Sequence, residues 1–99
     1  MSGLGDARRR FTYMFAMLLN RMLEAGYGPM IGKDGLKHME GSLHYEGLAQ
    51  DIDLTKDGVY LDKTEDHRQF GEYWESLGGA WGGRFKDGNH YSLAYGGRK

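Results

Sequence analysis

The sequence has no cysteine, a single proline and no long apolar run. Without cysteine, no disulfide can supplement the core and no thiol can serve as a nucleophile or a metal ligand. Because no segment approaches the roughly 20 apolar residues that cross a bilayer, we expect no stable membrane insertion. The formal net charge of −1 leaves no basic excess to neutralise phosphates, so we expect no nucleic-acid partner.

The residues that are present are typical of a small globular protein. Of the 99 residues, 39% are hydrophobic and 13% are aromatic. A chain of this length buries one small core, so we predict a single domain over residues 1–99, and we expect a monomer. The 17 glycines exceed the average share of about 7% and indicate tight turns or close backbone approaches. A bound metal is one device that stabilises a small core without disulfides.

Two segments space their apolar residues as an amphipathic helix does. The first predicts a helix over about Asp6–Ala25, with Asp6 as its N-cap. Its apolar stripe consists of Phe11, Met14, Phe15, Leu18, Leu19, Met22 and Leu23. The second predicts a helix over about Glu65–Leu77, capped by Thr64. Its apolar stripe consists of Phe70, Tyr73, Trp74 and Leu77. We interpret both stripes as core, and a membrane-surface helix with the arginines at positions 8–10 is the alternative for the first.

Two other segments are typical of strands. Alternating residues predict a hairpin over Gly47–Asp62 with its turn at Asp57-Gly58, which pairs Leu54 with Leu61 on one face. On the other face this pairing sets the aspartates at positions 53 and 62 against each other, so either that face is solvated or the register differs. His90–Tyr95 alternates as a final strand. The order of helix, strands, helix and strand predicts an α+β fold.

Two histidines, each with an aspartate nearby in the sequence, are the candidate metal-binding and catalytic positions. His44 and Asp51 flank Gly47, where the chain can fold back, and an imidazole and a carboxylate are both good zinc ligands. His90 follows Asp87 across a Gly-Asn turn, which can bring this carboxylate near whatever His90 binds. Two neutral imidazoles and one carboxylate leave zinc with an open position for water. A nearby unligated carboxylate, Asp87, can then take a proton from that water.

Each histidine also has a structural interpretation, because a lone histidine is more often exposed or hydrogen-bonded than a metal ligand. His67 precedes Phe70 by one helical turn, which favours a half-buried structural role. His38 lies in a polar segment near His44, where it is either exposed or supports a ligand.

The first of these two motifs resembles the signature of the M15 family of zinc peptidases. The signature S-x-H-x-x-G-x-A-x-D is matched by Ser42, His44, Gly47, Ala49 and Asp51. The family's second motif, a carboxylate three residues before the last zinc-binding histidine, is matched by Asp87 and His90. The run Trp81-Gly82-Gly83-Arg84-Phe85 resembles the W-G-G-x-F stretch of phage members. The family includes D-alanyl-D-alanine carboxypeptidases and L-alanyl-D-glutamate endopeptidases.

This resemblance implies a cofactor, a site and a fold. It implies that zinc is bound by His44, Asp51 and His90, and that Asp87 is the general base that activates the zinc-bound water. Ser42 would support the His44 loop by hydrogen bonding. The implied fold is of the Hedgehog/DD-peptidase type, which is a small antiparallel sheet flanked by helices.

The substrate clamp, meaning the basic residue that would hold the substrate, departs from the family pattern. Many members carry an arginine before the first motif, where it holds the substrate carboxylate or the developing oxyanion. Residues 26–41 contain no arginine, only Lys33 and Lys37. Either lysine is a candidate substitute, although lysine lacks the planar two-pronged geometry of arginine. Arg84, beside the second motif, is the alternative candidate.

The function implied by the resemblance is hydrolysis of the peptide stems of bacterial peptidoglycan by a phage endolysin. An endopeptidase that cuts L-Ala from D-Glu is favoured over a D,D-carboxypeptidase. Such a protein is made in the host cytoplasm without a signal peptide and acts at the cell wall after holin-type release. The alternative is a non-catalytic, metal-stapled binding or structural phage module, against which the unligated Asp87 beside His90 argues.

Overall fold

An antiparallel sheet with two helices packed against it organises the chain. The computed structural model describes residues 3–32, 43 and 46–97. Within those residues the elements are α1 (Leu4–Glu24), β1 (Gly28–Ile31), β2 (Ala49–Lys56), β3 (Val59–Leu61), α2 (Thr64–Ser76), β4 (Ala80–Trp81), a 3-10 turn (Gly82–Phe85) and β5 (His90–Ser92). The predicted α+β fold is confirmed. Neither helix in the described part of the chain is long and apolar enough to cross a membrane.

The sheet is built on β2, because three strands pair with it. β1 pairs along residues 52–55 of β2, β3 along 54–56, and β5 along 49–51. Neighbouring residues of a strand direct their backbone groups to opposite edges. Accordingly, Ile52 N donates to Asn89 O at 2.8 Å beside β5, whereas Gly32 N donates to Asp51 O at 2.8 Å beside β1. β3 and β5 therefore share the edge of β2 that faces away from β1, and β4 extends the sheet by pairing with β5.

The predicted hairpin register is confirmed, because Leu54 pairs with Leu61. Its turn residues Asp57 and Gly58 have φ angles of 52° and 79°, which two-residue hairpin loops require. The pairing of β3 ends at Leu61, and the aspartates at positions 53 and 62 both line an open cleft. Their predicted opposition is therefore relieved by solvation, not by a different register.

Helix α1 begins before the predicted N-cap. Gly3 occupies the capping position with extended backbone, so the prediction that Asp6 caps the helix is wrong. Asp6 lies in the first turn, where a negative charge favours the helix N-terminus. The buried residues of α1 are Phe11, Met14, Leu18 and Met22. Leu23 is 60% exposed, contrary to its predicted place on the stripe, because it lies about 120° around the helix from Phe11.

Helix α2 forms hydrogen bonds with the chain on both sides of His90. Lys63 occupies its N-cap position, so the prediction that Thr64 caps the helix is wrong. The Thr64 hydroxyl instead accepts a hydrogen bond from Gly88 N at 3.2 Å. At the other end, Trp74 Nε1 donates to Ser92 O at 2.8 Å. α2 thereby holds the chain both before and after His90.

The core lies between the two helices and the sheet. Its buried apolar residues are Phe11, Met14, Leu18, Met22, Leu43, Leu48, Ala49, Ile52, Leu54, Phe70, Trp74, Trp81, Tyr91 and Leu93. The Trp81 ring lies so close to Gly71 of α2 that a Cβ there would overlap it. Glycine at position 71 therefore lets α2 approach the end of the sheet where the candidate site lies.

Candidate functional site

The pairing of β2 with β5 sets Asp51 opposite His90. Residues opposite each other in antiparallel strands direct their side chains to the same face. His90 Nδ1 and Asp51 Oδ1 lie 3.3 Å apart, with side-chain exposures of 18% and 23%. Two of the three ligands that the sequence predicts, 39 positions apart in the chain, are thus brought together at a place that solvent reaches.

The separation of these two atoms suits a shared metal ion. Charge-assisted N–H···O hydrogen bonds are typically about 2.7–2.9 Å long, shorter than the 3.3 Å found here. Two ligands at about 2.0–2.2 Å from one tetrahedral zinc lie about 3.3–3.5 Å from each other. One imidazole nitrogen and one carboxylate oxygen are also the donor types that zinc prefers. Asp51 and His90 therefore fit two positions of a zinc site.

The third predicted ligand cannot be placed beside them, because His44 lies outside the described residues. Within residues 3–32, 43 and 46–97, no group of three His, Cys, Asp or Glu side chains could hold a metal. Ser42, Lys33, Lys37 and His38 also lie outside the described part of the chain. The complete ligand set and the lysine clamp stay predictions.

A tight turn sets Asp87 next to His90. His90 N donates to Asp87 O at 3.1 Å, and Asp87 N donates to Gly82 O at 2.9 Å. Asp87 is exposed, and its carboxylate makes no hydrogen bond or ion pair with another described residue. A carboxylate without a fixed partner can accept a proton from a reacting molecule.

Close backbone contacts fix this turn. Trp81 Nε1 donates to Gly88 O at 2.7 Å. A Cβ at Gly82 would overlap Asp87 O and lie 2.7 Å from His90 Cβ, so only glycine lets the turn pack here. The order of elements predicted from the sequence has no strand or helix between α2 and the last strand. The short strand β4 and the 3-10 turn that follows it were missed, because two residues of strand leave no period to detect.

A cleft of about 150 Å³ opens beside Asp87. It lies between the end of β3 and the turn before β5, where the two strands that share one edge of β2 diverge. Its walls are formed by Asp53, Tyr60, Leu61, Asp62, Lys63, Thr64, His67, Lys86, Asp87, Gly88 and Asn89. Asp87 lines this cleft, so a substrate group that enters it lies next to this carboxylate.

His67 is more buried than the sequence predicts. It is only 2% exposed, and its Nδ1 lies 2.8 Å from the hydroxyl oxygen of Tyr91. Burial lowers the pKa of His67, with Asp66 and Asp53 acting in the opposite direction, and burial raises the pKa of Tyr91. His67 also contributes to the cleft wall, which sequence reasoning missed. The available signal was Tyr91, whose hydroxyl on a buried strand face needs a partner.

Arg84, the third clamp candidate, is held by a neighbouring acid. Its Nε and Nη2 donate to the two carboxylate oxygens of Glu75 at 2.9 and 2.6 Å. The hydrogen bond from Arg84 keeps the pKa of Glu75 below its usual range. The guanidinium also lies 5.2 Å from the centre of a Trp81 ring. Arg84 does not line the cleft beside Asp87, and a contact with substrate stays a prediction.

The pH dependence of stability should reveal the buried His67. Because its pKa is lowered on folding, the unfolded chain binds a proton below about pH 6.5 that the folded chain does not. The free energy of unfolding should therefore fall as pH drops below about 6.5, by at most about 1.4 kcal/mol per pH unit from this group. The His67→Gln variant should show a shallower decline in urea unfolding across the same range. Equal slopes for the two proteins would contradict the assigned shift.

Two comparisons with known proteins bear on this site. A peptidase family model described as D-alanyl-D-alanine carboxypeptidase matches residues 37–93. The match covers more than half of the chain and includes both predicted motifs. A search of curated proteins gave no match.

Proposed function

The chain belongs to the M15 peptidase family, of the type described as D-alanyl-D-alanine carboxypeptidase, and on this premise we propose that it is a zinc-dependent peptidase of peptidoglycan. The observation that carries the proposal is the pairing of Asp51 with His90 at a separation of 3.3 Å. The turn to Asp87 sets an unligated carboxylate three residues before that histidine. A purely structural metal site needs no such base.

In the proposed reaction, water adds to the carbonyl carbon of a stem peptide bond and the C–N bond breaks. Asp51, His90 and His44 would hold the zinc, which when bound supplies Lewis-acid polarisation of the carbonyl. Asp87 accepts a proton from the attacking water and delivers it to the leaving amine nitrogen. The cleft walls beside Asp87 orient the peptide, and the backbone contacts of the turn keep the carboxylate in place.

The proposed substrate is the peptide stem of bacterial peptidoglycan, and the proposed biological role is that of a phage endolysin. Cleavage between L-Ala and D-Glu is favoured over removal of a terminal D-Ala. The resemblance of residues 81–85 to phage members supports this role. The protein would be made in the host cytoplasm and would act at the cell wall after holin-type release.

Digestion of purified peptidoglycan tests the proposal. The protein should release muropeptide fragments, lose this activity in a chelator and regain it when zinc is restored. Mass analysis should find new D-Glu amino termini for the endopeptidase, whereas free D-Ala would identify a carboxypeptidase. Zinc uptake without any released fragment would favour the non-catalytic, metal-stapled module and would overturn the enzymatic proposal.

A further inference from the structure

His67, in the wall of the cleft beside Asp87, carries a buried N–H group that the proposed reaction does not use. Tyr91 has no exposed surface, and within the described residues the only acceptor near its hydroxyl is His67 Nδ1, at 2.8 Å. An O–H group buried this deeply needs an acceptor. Tyr91 therefore donates to Nδ1, and the hydrogen of the neutral imidazole resides on Nε2.

The Nε2–H group of His67 has no partner of its own in the described part of the chain. A buried donor without an acceptor costs about 1–3 kcal/mol, so such groups are normally satisfied by protein, water or ligand. Because Nδ1 is taken by Tyr91, Nε2 is the polar atom that this ring can offer to the cleft it lines. His67 lines the cleft, and with Nδ1 taken by Tyr91 its Nε2–H is the donor left for an incoming acceptor.

The charges around the cleft indicate what kind of acceptor enters. Three carboxylates (Asp53, Asp62 and Asp87) and two ammonium groups (Lys63 and Lys86) line it. The sum is one negative charge, which opposes an incoming carboxylate but not a neutral amide. The neutral form of His67 adds no positive charge. A main-chain carbonyl of a peptide fits this environment better than a terminal or side-chain carboxylate does.

We infer that the cleft is a substrate subsite in which His67 Nε2–H donates a hydrogen bond to a main-chain carbonyl of the bound peptide. The inference rests on the proposed function, because the peptide that occupies the cleft is the one that Asp87 helps to hydrolyse. Tyr91 acts as a positioning residue, since its hydroxyl holds the imidazole in the tautomer that presents Nε2–H to the cleft. The peptide thereby gains an anchor in addition to the contacts at the reacting carbonyl.

Two isosteric substitutions separate this role from a structural one. In His67→Asn, the amide reaches the position of Nδ1 and keeps the contact with Tyr91 but offers nothing to the cleft. In His67→Gln, the amide reaches the position of Nε2 and can still donate there. We expect kcat/KM for a synthetic stem peptide to fall about tenfold in His67→Asn and only about threefold in His67→Gln. The loss in His67→Asn should lie mainly in KM, because the hydrogen bond holds the ground state as well as the transition state.

A merely structural histidine predicts the opposite order, since asparagine preserves the Tyr91 hydrogen bond and glutamine does not. Thermal midpoints of both variants show whether each is folded at the assay temperature. An active wild type with His67→Asn as fast as His67→Gln would overturn the subsite and leave the proposed function standing. An inactive wild type would overturn both.

The same assay tests the chemistry of the occupant. The loss in His67→Asn should be equal for two stem peptides that differ only in whether their carboxylates are free or amidated. A loss confined to the free-acid peptide would overturn the carbonyl assignment, because a carboxylate would then be the group that His67 binds.

Discussion

Replacing Asp87 by asparagine should lower kcat by about 10²–10⁴-fold, the usual contribution of a general base, while the zinc content stays unchanged. Asparagine keeps the shape of the side chain but cannot take a proton from water. The backbone bonds of residue 87, to Gly82 O and from His90 N, do not depend on the side chain. Hydrolysis of a synthetic stem peptide and atomic absorption on the same preparation measure the two quantities.

A matched control is available in the hairpin turn. Asp57 is an exposed aspartate with a φ angle of 52°, a conformation that asparagine also tolerates. Asp57→Asn should keep the wild-type kcat. Normal turnover in Asp87→Asn would show that another group is the base. Loss of zinc together with turnover would instead make Asp87 a ligand.

Removing either member of the Asp51–His90 pair should abolish metal binding and with it activity. We expect Asp51→Asn and His90→Ala to weaken zinc affinity by more than about 100-fold, because losing even a residue that only supports a metal ligand costs about 10–100-fold. Zinc should raise the thermal midpoint of the wild type but not of these variants, since only a protein that binds the ion is stabilised by it. Zinc content after dialysis and melting with and without zinc measure the effect.

Asp53→Asn is the control for metal binding, because position 53 lies two residues further along the same face of β2. Asp53 lines the cleft and is not a predicted ligand. The Asp53→Asn variant should keep its zinc and the zinc-dependent rise in thermal midpoint. Full zinc content in both His90→Ala and Asp51→Asn would remove the basis of the proposed enzyme.

Structural features that depend on local sequence patterns could be predicted. Asp57-Gly58 between two alternating segments specifies the β2–β3 turn, and the pairing of Leu54 with Leu61 follows from it. Phe70 and Trp74 lie on the buried face of α2 as helical spacing requires. Both predicted N-caps were wrong, because a cap depends on the backbone conformation of one residue and several candidates compete for it.

The arrangement around Asp87 could not be predicted in this way. β1 is four residues long, begins Gly-Pro and is mostly exposed, so it has no alternating signal. That β3 and β5 share one edge of β2 depends on pairings between distant segments, which no local pattern encodes. The cleft, and the place of His67 in its wall, follow from that sharing. Spacing alone gave His67 a structural role, and only the position of Tyr91 shows which side of its ring is already used.

The alternation of apolar and acidic residues along β2 makes the candidate site and the core depend on the same strand register. Ile52 and Leu54 are fully buried, whereas Asp51 and Asp53 face the candidate site and the cleft. A slip of one residue in the pairing would carry both aspartates into the core and expose both apolar side chains. A misregistered chain would thus forfeit a metal ligand, a cleft wall and its hydrophobic interior in a single step. Burial of the apolar face therefore favours the same register as the Asp57-Gly58 turn, and this register is the one that sets the two aspartates at the site.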